Sequence, residues 1–206
     1  MREIKIGVSI SLSGRYMAHG SESFEGLNLW VNDANQSGGI TIKKNDKKLP
    51  INLIYYDDGS SVENCKMLVE RLIVKDKVDI LIGPYSSGLT LGAAPIVDKY
   101  KKILWNHGGS SDEIFERGYR YIVSTITPAS EYLTGVIDMV KNIDRTTKKL
   151  NLLYAEDSGF SNSVADGAKR HGEETGFQIV EFKYRSGEND FSLPLQRLKE
   201  ESFDII

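Results

Sequence analysis

Short apolar runs alternate with longer stretches in which apolar residues return with helical spacing, from one end of the chain to the other. The runs predict strands at Ile4–Ile10, Ile51–Tyr56, Ile80–Ile82, Ile103–Trp105, Tyr121–Ser124, Leu150–Ala155 and Gln178–Tyr184, with a further strand starting at Asp204. Between the first two, Phe24, Leu27, Val31 and Ala34 fall on one helical face; Ser21 is placed to cap that helix and Gly38-Gly39 to end it. A polar, lysine-rich excursion, Lys43 to Lys48, leads to Pro50. Ser60-x-x-Glu63 reads as a capping box ahead of Cys65, Leu68, Val69, Leu72 and Ile73, the clearest amphipathic pattern in the chain. The next helix contains Pro95, which must lie near its first turns or kink it. A short helix is predicted over Asp112–Arg117, and Thr127-Pro128 opens one carrying Tyr132, Leu133, Val136, Ile137 and Val140. Two more follow, from Ser161 to about Thr175 and from Phe191 to Glu201. Regular alternation of this kind predicts parallel sheets covered on both faces. The break near Ile126–Pro128 divides the chain into two doubly wound lobes joined by a hinge, residues 1–126 and 127–206, the second lobe unfinished.

The stretch from Asp79 to Gly118 repeats one small unit: a short apolar strand, a loop of Gly and Ser, and a helix start. In an open parallel sheet such loops lie at the carboxyl edge, where ligands settle. A helix start offers backbone N–H groups and the positive end of a dipole, which suit a carboxylate or phosphate. Ser86 and Ser87 in the first loop, and Ser110 and Ser111 in the second, add hydroxyls at the same level. Ser and Gly are also ordinary capping residues, and Ser110-x-x-Glu113 reads as a capping box. The pairing of two loops is what points to a shelf for a small anionic or zwitterionic ligand. Asp57-Asp58-Gly59 closes a strand; hydrogen bonding at a turn is the reading preferred there over a metal or phospho-acceptor site.

Composition narrows the classes. With 206 residues and a net charge of -3 the chain carries no basic footprint for nucleic acid. No apolar run approaches the roughly 18 residues that cross a bilayer. The single cysteine, Cys65, excludes an internal disulfide and sits on an apolar helical face, as a packed thiol would. One cysteine and three histidines are too few for an obvious zinc site, so no metal or cofactor is expected. No charged-then-apolar leader precedes Ile4, which leaves a cytosolic protein or one whose leader has been removed.

The opening IKIGVSISLSGRYMAHGSESFEGLNLWVNDANQSGGI, the run IYYDDGSS, the loop IGPYSSGLTLGAAPI, the stretch ERGYRYIVSTITP and the late ENDFSLPLQRLKEESFDII occur in order and in register. Together they resemble branched-chain amino-acid binding proteins of bacterial and archaeal ABC importers. The resemblance implies a type I periplasmic-binding fold, in which two lobes close on an amino acid or related small carboxylate. It implies a periplasmic or extracellular monomer, free or lipid-anchored, whose partner is a membrane permease, and no enzymatic activity. The ligand-carboxylate serine of that family falls on Ser87, with Ser86 just before it, and the head-group loop on Gly108-Gly109-Ser110. An aromatic pocket-wall position corresponds to His19, and a tyrosine of the second lobe corresponds to Phe160. Both are departures, so leucine or valine does not follow as the ligand. A disulfide of some relatives would join positions that are Ser60 and Ser86 here, and the acid that meets the ligand ammonium would lie past Ile206. Trp105-Asn106-His107 replaces a more apolar run.

Two other classes remain. A sensory domain on the same fold would use the same residues. An enzyme would use Ser110 as nucleophile with His107 or His19 as base, but the chain has no G-x-S-x-G. It also has no G-x-x-x-x-G-K-[ST] and no early G-x-G-x-x-G, which argues against a nucleotide site.

Overall fold

Residues 2–43 and 46–200 are described by the structure, a computed structural model. The strand expected from Asp204 lies outside the described residues. The chain divides into two units: Met1–Gly109 with Arg117–Ile126, and Ser110–Glu116 with Thr127–Ile206.

The first unit is built on five parallel strands. They are β1 (Ile4–Ile10), β4 (Ile51–Asp57), β5 (Ile80–Ile82), β6 (Leu104–Asn106) and β7 (Ile122–Ser124), in the order β4-β1-β5-β6-β7. β1 is an inner strand that pairs on both sides, Ile4 with Ile51 and Ile6 with Ile80. Helix α1 (Met17–Gln36) covers one face. There Ile6, Val8 and Ile10 meet Val31, with Phe24, Leu27 and Ala34 around them. On the other face Leu81 and Leu104 pack against α2 (Val62–Val74) and α3 (Ser87–Tyr100) through Cys65, Leu72, Leu89 and Val97. Burying these side chains on both faces is the main source of stability, about 1.5–3 kcal/mol for each large one. Cys65 is fully buried, and that burial pushes its thiol pKa up to about 12, so it behaves as a small apolar residue.

Several local expectations are corrected here. The lysine-rich excursion is flanked by a short antiparallel hairpin, β2 (Ile40–Ile42) with β3 (Lys47–Leu49). The strand pattern of two three-residue runs around charged residues is too short to register as periodicity. Helix α1 starts at Met17, so Ser21 lies inside it and is not its cap. The cap of α2 is Ser61, whose side chain accepts from Asn64 N, one residue later than Ser60. Ser60 takes a positive φ of 60° and instead links two loops, accepting from Tyr16 N and donating to the Ser13 carbonyl. Pro95 sits in the interior of α3, where it removes the bond to the carbonyl one turn back.

The second unit pairs β8 (Lys149–Ala155) with β9 (Gln178–Tyr184) in parallel. It also holds the short α4 (Glu113–Glu116), α5 (Thr134–Ile143), α6 (Gly159–Thr175) and α7 (Ser192–Glu200). The segment after Thr127-Pro128 forms one 3-10 turn, Ala129–Glu131, before α5 begins, so Tyr132 and Leu133 precede that helix. Ile137, Leu150, Ala168 and Phe177 form its core, with Leu133, Val140, Leu152 and Ile179 packed against them. Ser158, three residues ahead of the expected start, caps α6, and Gly176 ends it in the left-handed conformation. No helix among the described residues is long and apolar enough to cross a membrane.

Candidate ligand site at the strand tips

At the carboxyl end of β1 the chain must turn into α1, and two carboxylates hold the turn. Asp58 is fully buried and accepts from Ser9 Oγ at 3.0 Å, Ser11 Oγ at 2.6 Å and Ser60 N at 2.9 Å. Asp57 accepts from Leu12 N, Ser13 Oγ and Gly59 N at 2.7–2.9 Å. Partial burial pushes the Asp57 pKa up, but the bonds from Ser13 and from backbone N–H groups outweigh it and hold the carboxyl below its ordinary value. The acid pair is thus a scaffold for the β1 loop, as the turn reading has it. Among the described residues no group of three or more His, Cys, Asp or Glu could hold a metal ion.

This scaffold brings α1 close. A Cβ on Gly20 would lie 2.0 Å from the Ser11 carbonyl oxygen, so only glycine lets the helix approach the loop. His19, the residue before it, is exposed and stacks on Tyr85 with ring centroids 4.8 Å apart and planes at 25°. Tyr85 also meets Tyr16 edge-on at 6.0 Å. Sequence reasoning missed Tyr85; a tyrosine inside a Gly-Pro-x-Ser-Ser loop was the available signal.

Tyr85 belongs to the loop between β5 and α3. Its neighbour Ser86 caps α3, its Oγ accepting from Leu89 N at 3.3 Å, and does so at φ 114°, ψ 148°. That conformation is close to glycine-only territory and costs on the order of 1–3 kcal/mol. Strain of this size persists only where surrounding contacts enforce it. The enforcing contact is the next loop: Ser86 N donates to the Gly108 carbonyl at 3.3 Å. A Cβ on Gly108 would lie 2.8 Å from Tyr85 Cα and 3.0 Å from the Pro84 carbonyl oxygen. Ser87 follows as the first residue of α3, only 7% exposed.

The loop after β6 is shaped by a residue that sequence reasoning noted only as a departure. Asn106 is fully buried, and its amide does the work of a backbone turn. Nδ2 donates to the Gly109 carbonyl at 2.6 Å and to Ser124 Oγ at 3.0 Å, and Oδ1 accepts from Gly109 N at 2.9 Å. An asparagine at the end of an apolar strand signals such a local contact, because a buried amide must be paired. His107 behaves differently. It lines a cavity of about 220 Å³ with Phe24, Ile10 and Trp105, its Nδ1 has no partner among the described residues, and burial pushes its pKa down.

The strand tips of the first unit therefore bring Ser86, Ser87, Gly108, Gly109 and His19 into one neighbourhood, by way of Tyr85. The remaining sequence candidates belong to the second unit. Ser110 accepts from Ala129 N through its carbonyl at 2.7 Å and is 4% exposed. Ser111 Oγ lies 3.2 Å from Ser163 Oγ, and Ser163 Oγ accepts from Asp112 N. Phe160, second residue of α6, is 40% exposed and meets Tyr132 edge-on at 5.8 Å. A cavity of about 330 Å³ in this unit lies at the other end of the strands, lined by Lys141, Asp144 and Arg145 where α5 and α6 end. The carbonyl ends of two helices there disfavour an anion, against the attraction of Lys141, Arg145 and Lys148.

In open parallel sheets the carboxyl edge is where ligands settle, and in this unit two linked, glycine-bearing loops stand at that edge. A family model described as periplasmic binding protein matches residues 3–206, and the chain belongs to that family. It is 29% identical over 211 residues to the leucine-specific-binding protein of Salmonella typhimurium, covering 99% of this chain and 53% of that protein. Among solved structures it resembles the branched-chain amino acid transporter substrate binding protein LivJ of Streptococcus pneumoniae, solved with isoleucine. The TM-score is 0.82 at 23% identity, over 99% of this chain and 56% of that one. It also resembles a solute binding protein of an ABC transporter from Rhodopseudomonas palustris HaA2, solved with p-hydroxybenzoic acid. There the TM-score is 0.83 at 25% identity, over 99% and 53%. The fold is the type I periplasmic-binding fold, and the chain spans about half the length of the relatives it matches.

Proposed function

We propose that the protein is the extracytoplasmic solute-binding component of an ABC importer, taking an amino acid or related small carboxylate and performing no chemistry on it. The observation that carries this reading is the bond from Ser86 N to the Gly108 carbonyl, which joins two strand-tip loops and holds Ser86 in a strained conformation. Strain held at a helix start beside a close-packed glycine fits a surface preformed for a carboxylate. Ser87 and the backbone N–H groups of the α3 start hold the acid group in this account. Ser110 and Phe160 are assigned as further ligand contacts from the family resemblance. Relatives solved with isoleucine and with p-hydroxybenzoic acid support a ligand that carries a carboxylate. Each charge-assisted bond formed away from water contributes about 1.5–3 kcal/mol. The permease recognises the liganded form, whose population rises only by the ligand's preference for it.

Titration calorimetry on the full-length protein with leucine, isoleucine, valine and 4-hydroxybenzoate tests the proposal. Saturable one-to-one binding of a carboxylate in this set supports it. Absence of binding by all four, and of any co-purifying small acid by mass spectrometry, overturns it.

A further inference from the structure

Within the second unit, the segment Ser110–Glu116 is held by one face of α6 and by the 3-10 turn that rests on it. Gly159, Ser163 and Gly167 recur at four-residue spacing on that face. A Cβ on Gly167 would lie 1.9 Å from the Ser130 carbonyl oxygen, so only glycine lets the turn approach the helix. The turn holds the segment in two places: Ala129 N donates to the Ser110 carbonyl at 2.7 Å, and Ser130 N to Asp112 Oδ1 at 3.1 Å. Ser163 supplies the other support. A hydroxyl has one proton to give and two lone pairs to fill, and here all three are used. Ser163 Oγ donates to the Gly159 carbonyl at 3.0 Å and accepts from Asp112 N at 3.1 Å. With that proton spent, the Ser111 hydroxyl is the donor in the remaining contact. It lies 3.2 Å from Ser163 Oγ and 3.3 Å from the Gly159 carbonyl. Ser111 is 1% exposed, so water is poorly placed to replace these bonds.

We infer that Ser163 is a positioning residue for ligand binding: its hydroxyl fixes Ser111 and Asp112 on α6 and so sets where Ser110 presents its polar groups. This rests on the reading of Ser110 as a ligand contact. Ser110 directly precedes Ser111 and stands between the Ser163 support and the bond from Ala129 N. A segment ordered before the ligand arrives spares the ligand that ordering cost. Alanine is a good helix former, so Ser163→Ala removes the acceptor of Asp112 N and leaves α6 intact. The loosened segment must then be ordered by the ligand itself, and the cost falls on affinity.

The test uses the full-length protein as wild type, Ser163→Ala, Ser163→Thr, Ser110→Ala and the double variant of Ser110→Ala with Ser163→Ala. Hydrogen exchange at the Asp112 amide, followed by nuclear magnetic resonance without ligand, reads the docking of the segment. Calorimetry with leucine, isoleucine, valine and 4-hydroxybenzoate reads binding, and denaturant midpoints read folding. Ser163→Ala is expected to speed exchange at Asp112 and to weaken the best-bound acid, each by about tenfold, with a midpoint close to that of the wild type. Ser163→Thr keeps the hydroxyl and both properties. The double variant should bind within about threefold of Ser110→Ala alone, because Ser163 acts through Ser110. The inference fails, and the ligand site stands, if Ser163→Ala leaves exchange or affinity unchanged or costs as much in Ser110→Ala as in the wild type. A sharply lowered midpoint in Ser163→Ala marks a support of the fold and overturns it as well. If Ser110→Ala binds like the wild type, Ser110 leaves the site and takes the inference with it. If none of the four acids binds the wild type, the proposed function itself fails.

Discussion

Ser86 N donates to the carbonyl of Gly108 at 3.3 Å, a bond that ties the loop after β5 to the loop after β6. The two residues are 22 positions apart, and each is shaped by the other. Ser86 holds a backbone angle that serine avoids, and Gly108 lacks the side chain that would push the loops apart.

Gly108→Ala tests the closeness of that approach. The new Cβ would meet backbone atoms of Tyr85 and Pro84, which cannot swing aside as a side-chain tip can. The variant is expected to lose about 1–3 kcal/mol of stability, the cost of overpacking a well-filled site. Chemical denaturation measures this, and an unchanged midpoint would mean that the loops part at no cost.

Asn106 is the second support. Asn106→Ala removes three hydrogen bonds at once and leaves both polar backbone groups of Gly109 without their partner. Groups stranded in that way cost about 1–3 kcal/mol each, less whatever water restores. The expected outcome is a loss of about 2–4 kcal/mol in denaturant unfolding. Asn106→Asp keeps the acceptor for Gly109 N but buries a carboxylate against the Gly109 carbonyl oxygen, and is expected to lose at least as much as Asn106→Ala.

Acid sensitivity follows from Asp57. Its folded pKa lies below the ordinary 3.8, so the folded state favours the carboxylate more than the unfolded chain does. A depressed carboxyl contributes stability above its unfolded pKa and loses it as pH falls through the folded value. Asp57→Asn should therefore flatten the fall in stability between about pH 5 and pH 3. Thermal unfolding at several pH values measures the slope. An acid limb as steep in the variant as in the wild type would show that the bonds from Leu12, Ser13 and Gly59 do not distinguish the two states.

Much of this architecture was legible because its periodicities are local. β1, β4, β8 and β9 are long runs bounded by turn residues, and Cys65, Val69 and Leu72 keep a clean helical spacing. Helix starts were less legible. Ser21 and Ser60 each carry a side chain suited to capping, yet α1 begins at Met17 with no side-chain cap, and the hydroxyl beside α2's start that does the capping is Ser61. In both places the packing of the β1 loop against Asp57 and Asp58 decides where the helix can begin, and that contact spans more than forty residues. The hairpin β2–β3 was hidden because three-residue strands carry too little pattern. At the site, Ser86, Ser87 and Gly108 were visible as residue types placed after strands. Tyr85 and Asn106 were not, since a ring stack with His19 and a side chain that closes its own loop are facts of tertiary structure.

The account turns on the acid group held at the start of α3. The most direct measurement is calorimetry on full-length Ser87→Ala with the carboxylate that binds the wild type best, alongside its unfolding midpoint. Loss of one charge-assisted bond predicts affinity lower by about tenfold or more with a midpoint close to that of the wild type. Affinity equal to the wild type in a folded variant would contradict a carboxylate held by Ser87.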